Sequence, residues 1–260
     1  SSDLNFQMTV FPNVKLNLGL RVLGVREDGY HDIETVFIPY YGFCDTLEIV
    51  PSHSFEINIS GPEYTGWDPA GDLTARAWRL LRSDFNINPV HIELEKTSPV
   101  GAGLGGGSAD GAFALMVISD LFSLGLRPGK LAAYAAMLGS DCPFFIYNTP
   151  VFATGRGEIF EPVQLPLDGF RFEARVPEGV HVSTKEAYAG LGKAGSAPDL
   201  KTGLRGPVSS WRGSVVNDFE ASVFPAHPEI AALKEKMYAD GAVFAAMSGS
   251  GSAVFGIFEK

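Results

Sequence analysis

One stretch of the chain combines a high glycine content with a position that could bind phosphate. Residues 99–110 read Pro-Val-Gly-Ala-Gly-Leu-Gly-Gly-Gly-Ser-Ala-Asp. They lie between Val90–Glu95, whose alternation predicts a half-buried strand, and a helical pattern that begins at Ser108. Glycines let backbone N–H groups converge, and a helix N-terminus adds unpaired donors with a partial positive charge. The stretch therefore predicts an anion site suited to a polyphosphate.

This loop differs from two widespread phosphate-binding motifs. A Walker A loop has a lysine after its last glycine, where this chain has Ser108. The spacing of Gly101, Gly103 and Gly106 matches the dinucleotide fingerprint, but the preceding strand is polar on one face and Asp120 lies inside the following helix. A flexible linker remains the alternative, although a linker rarely joins an amphipathic strand to a well-patterned helix. The sequence favours a phosphate loop of another class.

Strands and helices alternate irregularly around this loop. Strands are predicted at Val14–Val22, Ile33–Tyr40, Thr46–Val50, Phe55–Ile59, Val90–Glu95 and Ala253–Phe258, and helices at Leu73–Phe85, Ser108–Leu124, Lys130–Leu138, Ser214–Phe224 and Pro228–Tyr238. This irregular order favours an α+β fold over a doubly wound sheet. Prolines separate short segments past Arg156, so we predict a domain boundary near residue 160, and Gly190–Ser210 is expected to be loose.

The composition excludes several classes of protein. Hydrophobic residues make up 45% of the 260, which is enough for a substantial core. The net charge of −10 disfavours binding to nucleic acid or anionic membranes, so any phosphate must be held by backbone amides or a few cations. Two cysteines, Cys44 and Cys142, are too few for a disulfide scaffold. The sequence has no long apolar run and no leader pattern, so we expect a cytoplasmic protein.

Three segments resemble the signatures of the small-molecule kinases that include galactokinase, homoserine kinase and mevalonate kinase. They are Phe11–Leu18, Pro99–Ser108 and Met247–Gly251, in that order along the chain. A closer resemblance, to the branch that phosphorylates a cytidine diphosphate-linked methylerythritol in non-mevalonate isoprenoid synthesis, is carried by Lys15–Leu18, Asp28–Phe37, Leu138–Phe145 and Val216–Glu220. Asp28-Gly-Tyr-His31 is its most specific part, since the glycine signatures identify only the superfamily.

The resemblance implies a two-domain α+β kinase fold in which ATP and substrate meet in a cleft between the domains. Residues 8–160 would form the ATP-binding domain, and residues 161–260 would contribute to the substrate site. ATP and Mg²⁺ are the implied cofactors, with the metal held by phosphates and waters rather than by assigned residues. No nucleic acid or membrane partner is implied.

The resemblance also assigns roles to individual residues. Lys15 and Asp141 match the catalytic pair. The ATP phosphates are assigned to Pro99, Val100, Gly101, Ala102, Gly103, Leu104, Gly105, Gly106, Gly107, Ser108 and Ala109. The substrate is assigned to Asn17, which lines the pocket of the catalytic pair, and to Tyr30, His31, Phe37 and Tyr188, which match the residues that bind the cytosine base. The residue types fit, because a carboxylate can accept the hydroxyl proton and a lysine can stabilise the transferring phosphoryl group.

Each of these residues, taken alone, has an ordinary structural explanation. Asp141 could be a turn or cap residue, Lys15 an exposed strand lysine, and the aromatic residues part of a core. Two other functions also remain open, namely a sister kinase acting on another small alcohol and a non-catalytic ligand sensor with this fold. The Tyr30–His31 pair with Tyr188 argues against the first, and retention of Lys15 and Asp141 argues against the second.

Two positions depart from the family pattern. Ala109-Asp110 stands where the family often has Ser-Asn, and Asp72 stands where it often has Asn. Both positions border the base and ribose of the nucleotide in the family. An aspartate cannot donate a hydrogen bond as an asparagine amide can, so the resemblance implies triphosphate binding more strongly than adenine recognition.

Overall fold

A computed structural model describes residues 8–191 and 199–260. The chain forms two compact units, each assembled from separated segments. Of the described residues, unit 1 comprises 8–14, Phe43–Val100 and Gly105–Thr149, and unit 2 comprises Lys15–Gly42, Gly101–Leu104, 150–191 and 199–260. The domain boundary that we predict near residue 160 stays a prediction, since each of these units combines segments that are separated in the sequence.

The described residues contain strands and helices in mixed order. The strands are β1 (Met8–Val10), β2 (Asn13–Val25), β3 (His31–Cys44), β4 (Thr46–Pro51), β5 (Glu56–Ser60), β6 (Val90–Glu95), β7 (Val151–Thr154), β8 (Ile159–Pro162), β9 (Phe170–Arg175), β10 (Phe244–Met247) and β11 (Val254–Glu259). The helices are α1 (Leu73–Asp84), α2 (Gly106–Leu121), α3 (Pro128–Leu138), α4 (Cys142–Tyr147), α5 (Thr184–Ala189), α6 (Leu200–Gly203), α7 (Glu220–Ala226) and α8 (Pro228–Ala239). Short 3₁₀ turns lie at Pro69–Gly71 and Val208–Ser210. The predicted α+β class is confirmed.

Unit 1 packs helices against one four-stranded sheet of order β1-β4-β6-β5. The β5–β6 pair is parallel, and the other two pairs are antiparallel. Helices α1 and α2 approach each other closely. A Cβ placed on Gly111 of α2 would lie only 2.9 Å from the Cβ of Leu73 in α1. The carboxylate of Asp72 caps α1 by accepting from the Thr74 N–H at 2.9 Å. This packing fixes the start of α2, which carries the glycine loop.

Unit 2 contains two sheets, of orders β2-β3-β7-β8 and β10-β11-β9. Helices α5, α7 and α8 contribute to a core that includes Phe219, Ile230 and Met237. The alternation in β2 predicts a strand with one wet face, but from Asn13 to Leu20 the strand is buried on both faces. That burial forces its polar side chains to find partners inside the protein.

One predicted helix is largely wrong. The pattern favours a helix over Ser214–Phe224, yet α7 begins only at Glu220. The preceding backbone pairs with β2 instead: the Leu20 N–H donates to the Val216 carbonyl at 2.9 Å, and the Asp218 N–H donates to the Leu20 carbonyl at 2.8 Å. Long-range pairing here overrides local propensity.

The predicted loose region, 190–210, contains a short helix. Asp199 caps α6 by accepting from the Thr202 N–H at 3.0 Å. Residues 192–198 of that prediction lie outside the described part of the chain. None of the helices in residues 8–191 and 199–260 has the length and apolar character needed to cross a membrane.

Candidate active site

The predicted phosphate loop ends at the N-terminus of α2, in unit 1. Gly105 is the N-cap residue and has a φ of +73°, so it has neither a side chain to cap the helix nor the extended backbone usual at that position. The first turn carries no acidic residue, and the first helical hydrogen bond runs from the Ala109 N–H to the Gly105 carbonyl at 3.0 Å. A Cβ at Gly107 would meet nothing within 4 Å, so open space adjoins this helix end. The arrangement suits an anion.

Asp141 lies next to this helix end within unit 1. The Ser108 hydroxyl of the first turn of α2 donates to the Cys142 sulfur, and Asp141 directly precedes that cysteine. Burial raises the pKa of the Cys142 thiol to about 11, although the Ser108 hydrogen bond opposes the shift. Asp141 occupies the N-cap position of α4 within a turn, but its carboxylate makes no capping hydrogen bond to that helix. The structure thus places the predicted base near the predicted phosphate loop.

The other half of the loop, Gly101–Leu104, belongs to unit 2, where it packs on the third signature. The Ala102 carbonyl accepts from the Ala253 N–H at 3.0 Å. Gly103 has a φ of +77°, and a Cβ there would lie 2.3 Å from the Ser248 carbonyl oxygen. Only glycine can occupy this position without moving the backbone. Two glycine motifs far apart in sequence therefore form one packed element.

Lys15 and Asn17 lie on β2 in the interior of unit 2, with 4% and 2% of their surfaces exposed. Lys15 Nζ donates to Asn17 Oδ1 at 2.5 Å and to the Gly103 carbonyl at 3.3 Å. It also lies 5.0 Å from the ring centroid of Phe37. The interpretation of Lys15 as an exposed strand lysine is therefore wrong. A buried ammonium beside an aromatic ring and the glycine loop is placed where it can interact with an anion.

Two polar residues that the sequence analysis did not assign hold this part of unit 2 together. The Ser248 hydroxyl accepts from the Asn17 N–H at 3.1 Å and donates to the Gly103 carbonyl at 3.3 Å. Asn217 Nδ2 donates to the carbonyls of Met247 and Gly249, each at 2.8 Å. Both residues lie within segments that carry the family resemblance, but only the folded structure reveals what they contact.

The structure brings together two of the four predicted base-binding aromatic residues. The His31 and Tyr188 rings stack with centroids 4.3 Å apart and an interplanar angle of 24°, and Phe219 packs against Tyr188 edge-on at 4.8 Å. Phe37 is 1% exposed, beside Lys15. Tyr30 is 55% exposed, with the Arg156 guanidinium 4.8 Å from its ring centroid. The four-residue pocket stays a prediction.

Both positions that depart from the family pattern have structural partners in unit 1. Asp110 is 2% exposed, and its Oδ2 accepts from Lys96 Nζ at 2.6 Å. Lys96 also donates to Asp45. Asp72 is occupied as the cap of α1 and accepts from Trp67 Nε1 at 3.3 Å. Both oxygens of Asp72 thus accept from donors, which suits an acid, whereas Asp110 accepts through Oδ2 and its buried Oδ1 has no hydrogen-bond partner among the described residues.

Burial and neighbouring charges shift the pKa values of Lys96 and Asp110. Burial and the negative charge of Asp45 hold the pKa of Asp110 well above its usual range, although Lys96 opposes them. Burial lowers the pKa of Lys96, but attraction to the two carboxylates outweighs it and the net shift is upward. Within the described residues, no group of three or more His, Cys, Asp or Glu side chains is arranged to hold a metal ion.

Two family models match the chain. The model for the GHMP kinases N terminal domain covers residues 72–149, and the model for the GHMP kinases C terminal covers residues 205–260. The fold and the glycine-loop site define the class, a GHMP kinase.

Similarity over nearly the whole chain narrows this class. A 4-diphosphocytidyl-2-C-methyl-D-erythritol kinase of Parabacteroides distasonis is 48% identical over 258 residues, which cover 97% of this chain and 92% of that protein. One from Azobacteroides pseudotrichonymphae is 45% identical, over 97% of this chain and 94% of its own. The crystal structure of a 4-(cytidine 5'-diphospho)-2C-methyl-D-erythritol kinase matches with a TM-score of 0.80 and 34% identity, over 96% and 89% of the two chains. The chain belongs to the 4-diphosphocytidyl-2-C-methyl-D-erythritol kinase family, as the sequence motifs predict.

Proposed function

We propose that this chain transfers the γ-phosphate of ATP to the 2-hydroxyl of 4-diphosphocytidyl-2-C-methyl-D-erythritol, in the non-mevalonate route to isoprenoid precursors. The observation that carries the proposal is the 45–48% identity to kinases of this name over 97% of the chain. The sister-kinase and sensor alternatives do not account for that similarity.

The glycine loop and the start of α2 bind the triphosphate in this proposal. The backbone N–H groups at residues 106–108 point out of the helix end, and the helix dipole favours negative charge there. An acidic chain of net charge −10 can bind a polyphosphate in this way without a basic surface. MgATP is the donor substrate, with the metal bound mainly by phosphate oxygens and water, as Mg²⁺ prefers.

In the transfer step, Asp141 acts on the substrate hydroxyl and Lys15 acts on the phosphoryl group. The substrate 2-hydroxyl oxygen forms a bond to the γ-phosphorus while the bond from that phosphorus to the bridging oxygen of ADP breaks. Asp141 orients the hydroxyl and accepts its proton. Lys15 stabilises the negative charge on the transferring phosphoryl group, and Asn17 lines the same site.

His31 and Tyr188 recognise the cytosine of the substrate, with Tyr30 and Phe37 as the other predicted contacts. A ring pair held at 4.3 Å provides a preformed aromatic surface. Stacking of a base on an aromatic side chain contributes about 1–3 kcal/mol. The His31 ring nitrogens can form hydrogen bonds with the edge of the base.

The proposal places the enzyme in the cytoplasm, where ATP is available, and includes no nucleic acid or membrane partner. Its substrates are small and anionic, and the net charge of −10 disfavours binding of the chain to other polyanions.

The purified chain tests the proposal directly when it is supplied with MgATP and either the cytidyl substrate or its uridyl analogue. We expect ADP and a singly phosphorylated product with the cytidyl substrate and a lower kcat/KM with the uridyl one, because a hydrogen-bonding site rejects mismatched edges. Asp141→Asn should lower kcat by about 10²–10⁴-fold while ATP affinity is kept. Asp168→Asn, at an exposed aspartate, is the matched control.

The outcomes separate the parts of the proposal. No turnover of the cytidyl substrate by the wild-type chain would refute the function. Equal rates with both bases would refute the cytosine site alone. Unchanged kcat in Asp141→Asn would remove Asp141 from the transfer step.

A further inference from the structure

A chain of buried hydrogen bonds runs from Lys15 to a backbone carbonyl of its own strand. Lys15 Nζ donates to Asn17 Oδ1 at 2.5 Å, and Asn17 Nδ2 donates to Thr35 Oγ1 at 3.1 Å. The Thr35 hydroxyl donates to the Gly19 carbonyl at 2.5 Å. Thr35 is fully buried, and all four residues belong to unit 2. The proposed reaction assigns no role to Thr35.

The chemistry of the groups fixes the direction of this chain. A backbone carbonyl only accepts, so the single hydroxyl proton of Thr35 must point to Gly19. The lone pairs of Thr35 then accept from the amide nitrogen of Asn17. The amide oxygen consequently faces Lys15, whose ammonium only donates. A reversed amide would set two donors against each other at Lys15 and leave the amide oxygen facing Thr35 lone pairs.

The anchor of the chain is itself constrained. Gly19 has a φ of +68°, outside the extended region of the strand around it. A Cβ there would also lie 2.5 Å from Leu200 Cδ1. The backbone geometry that offers this carbonyl to Thr35 therefore requires glycine.

We propose that Thr35 is a positioning residue for phosphoryl transfer. By fixing the orientation of the Asn17 amide, it presents Oδ1 to Lys15 and holds the ammonium in place. The inference rests on the proposed role of Lys15 in the reaction. Small displacements of a group that acts on the transferring phosphate reduce turnover more than they reduce substrate binding.

Thr35→Val tests the proposal because valine has the shape of threonine without its hydroxyl. We expect kcat to fall by up to about 100-fold, with the KM values for ATP and the cytidyl substrate changing by no more than about threefold. Thr35→Ser restores the hydroxyl and should recover most of kcat. Ser222→Ala removes another hydroxyl that donates to a carbonyl of unit 2, that of Ala187 at 2.8 Å, and should leave kcat unchanged.

A second variant, Asn17→Asp, tests whether Thr35 acts through the orientation of the Asn17 amide. In Asn17→Asp, both side-chain oxygens accept, so there is no amide left to orient. Adding Thr35→Val to this variant should then lower kcat little. This pair also serves if Thr35→Val alone folds poorly, because the double variant contains no unpaired amide donor.

Wild-type kcat in Thr35→Val, alongside inactive Lys15→Met, would overturn the role of Thr35 and leave the proposed function intact. An equal loss from Thr35→Val in the wild-type and Asn17→Asp backgrounds would also overturn it. Failure of the wild-type chain to phosphorylate the substrate is a different result, which refutes the function itself.

Discussion

Lys96 in unit 1 and Lys15 in unit 2 are both almost fully buried, with 2% and 4% of their surfaces exposed, yet different kinds of oxygen hold them within their units. Lys96 contacts two buried carboxylates, those of Asp45 and Asp110. Lys15 donates to an amide oxygen of Asn17 and to the carbonyl of Gly103. The charge of Lys96 is thus balanced by carboxylates inside unit 1, whereas the Asn17 and Gly103 oxygens that position Lys15 within unit 2 are neutral.

The surroundings of the two lysines match that difference. Asp45 also accepts from the backbone N–H groups of Thr97 and Ser98, at 2.7 and 2.8 Å. It therefore joins the end of β6 to the β3–β4 junction, and Asp110 joins both to α2. Lys15 instead lies beside an aromatic ring and the glycine loop. Burial alone therefore does not distinguish a lysine of a structural cluster from one that, as we propose for Lys15, acts on a phosphoryl group.

Lys96→Met should produce the largest change, and in stability rather than in chemistry. Removing the ammonium leaves two buried carboxylates unpaired, and breaking such a pair costs about 3–5 kcal/mol. Urea denaturation measures this loss. Lys201→Met, which breaks an exposed pair with Glu161, is the control and should cost no more than about 1 kcal/mol. A loss in Lys96→Met no larger than in the control would show that the cluster does not stabilise unit 1.

Lys15→Met should reduce turnover more than stability, the opposite of the result expected for Lys96→Met. Turnover should fall by about 100- to 1,000-fold, as when one electrostatic donor to a transition state is removed. The free energy of unfolding should change less than in Lys96→Met, because that variant removes the one ammonium between two buried carboxylates, whereas the Asn17 and Gly103 oxygens that lose a donor here are neutral. Single-turnover kinetics and urea denaturation on the same samples measure both quantities. A variant that loses stability and keeps kcat would contradict the assignment of the two lysines.

Much of the fold around the phosphate loop could be predicted because its signals are local. The strand Val90–Glu95 is predicted with its observed bounds, and α2 starts within two residues of its predicted start. Glycine content and hydrophobic periodicity are properties of short stretches of chain, so they can be read directly from the sequence. The helix predicted over 214–224 fails because pairing with Leu20 lies almost 200 residues away in sequence.

The site could be predicted only in part. Lys15 and Asp141 follow from family resemblance, since neither residue type nor spacing singles them out. The partnership of Lys96 with Asp45 spans 51 positions, and that of Thr35 with Asn17 spans 18 across two strands. Many lysines and threonines stand at such separations from polar residues. Only the fold selects which of them meet.

Asp110→Asn should give the smallest change, one that depends on pH. Asp110 faces Lys96 and Asp45, with the charge of Asp72 also acting on it, and burial raises its pKa well above the ordinary 3.8. The folded state therefore binds this proton more tightly than the unfolded state, and the contribution of Asp110 to stability is lost as pH rises from about 4 through the folded-state pKa. Asparagine does not titrate, so the variant should gain stability relative to wild type as pH increases. Urea denaturation of both proteins at intervals between about pH 5 and pH 8 measures the difference, with Asp168→Asn as the exposed control. A stability difference that stays constant over this range would mean that Asp110 is ionised throughout. The cluster in unit 1 would then hold a net negative charge, because two ionised carboxylates would face the single ammonium of Lys96.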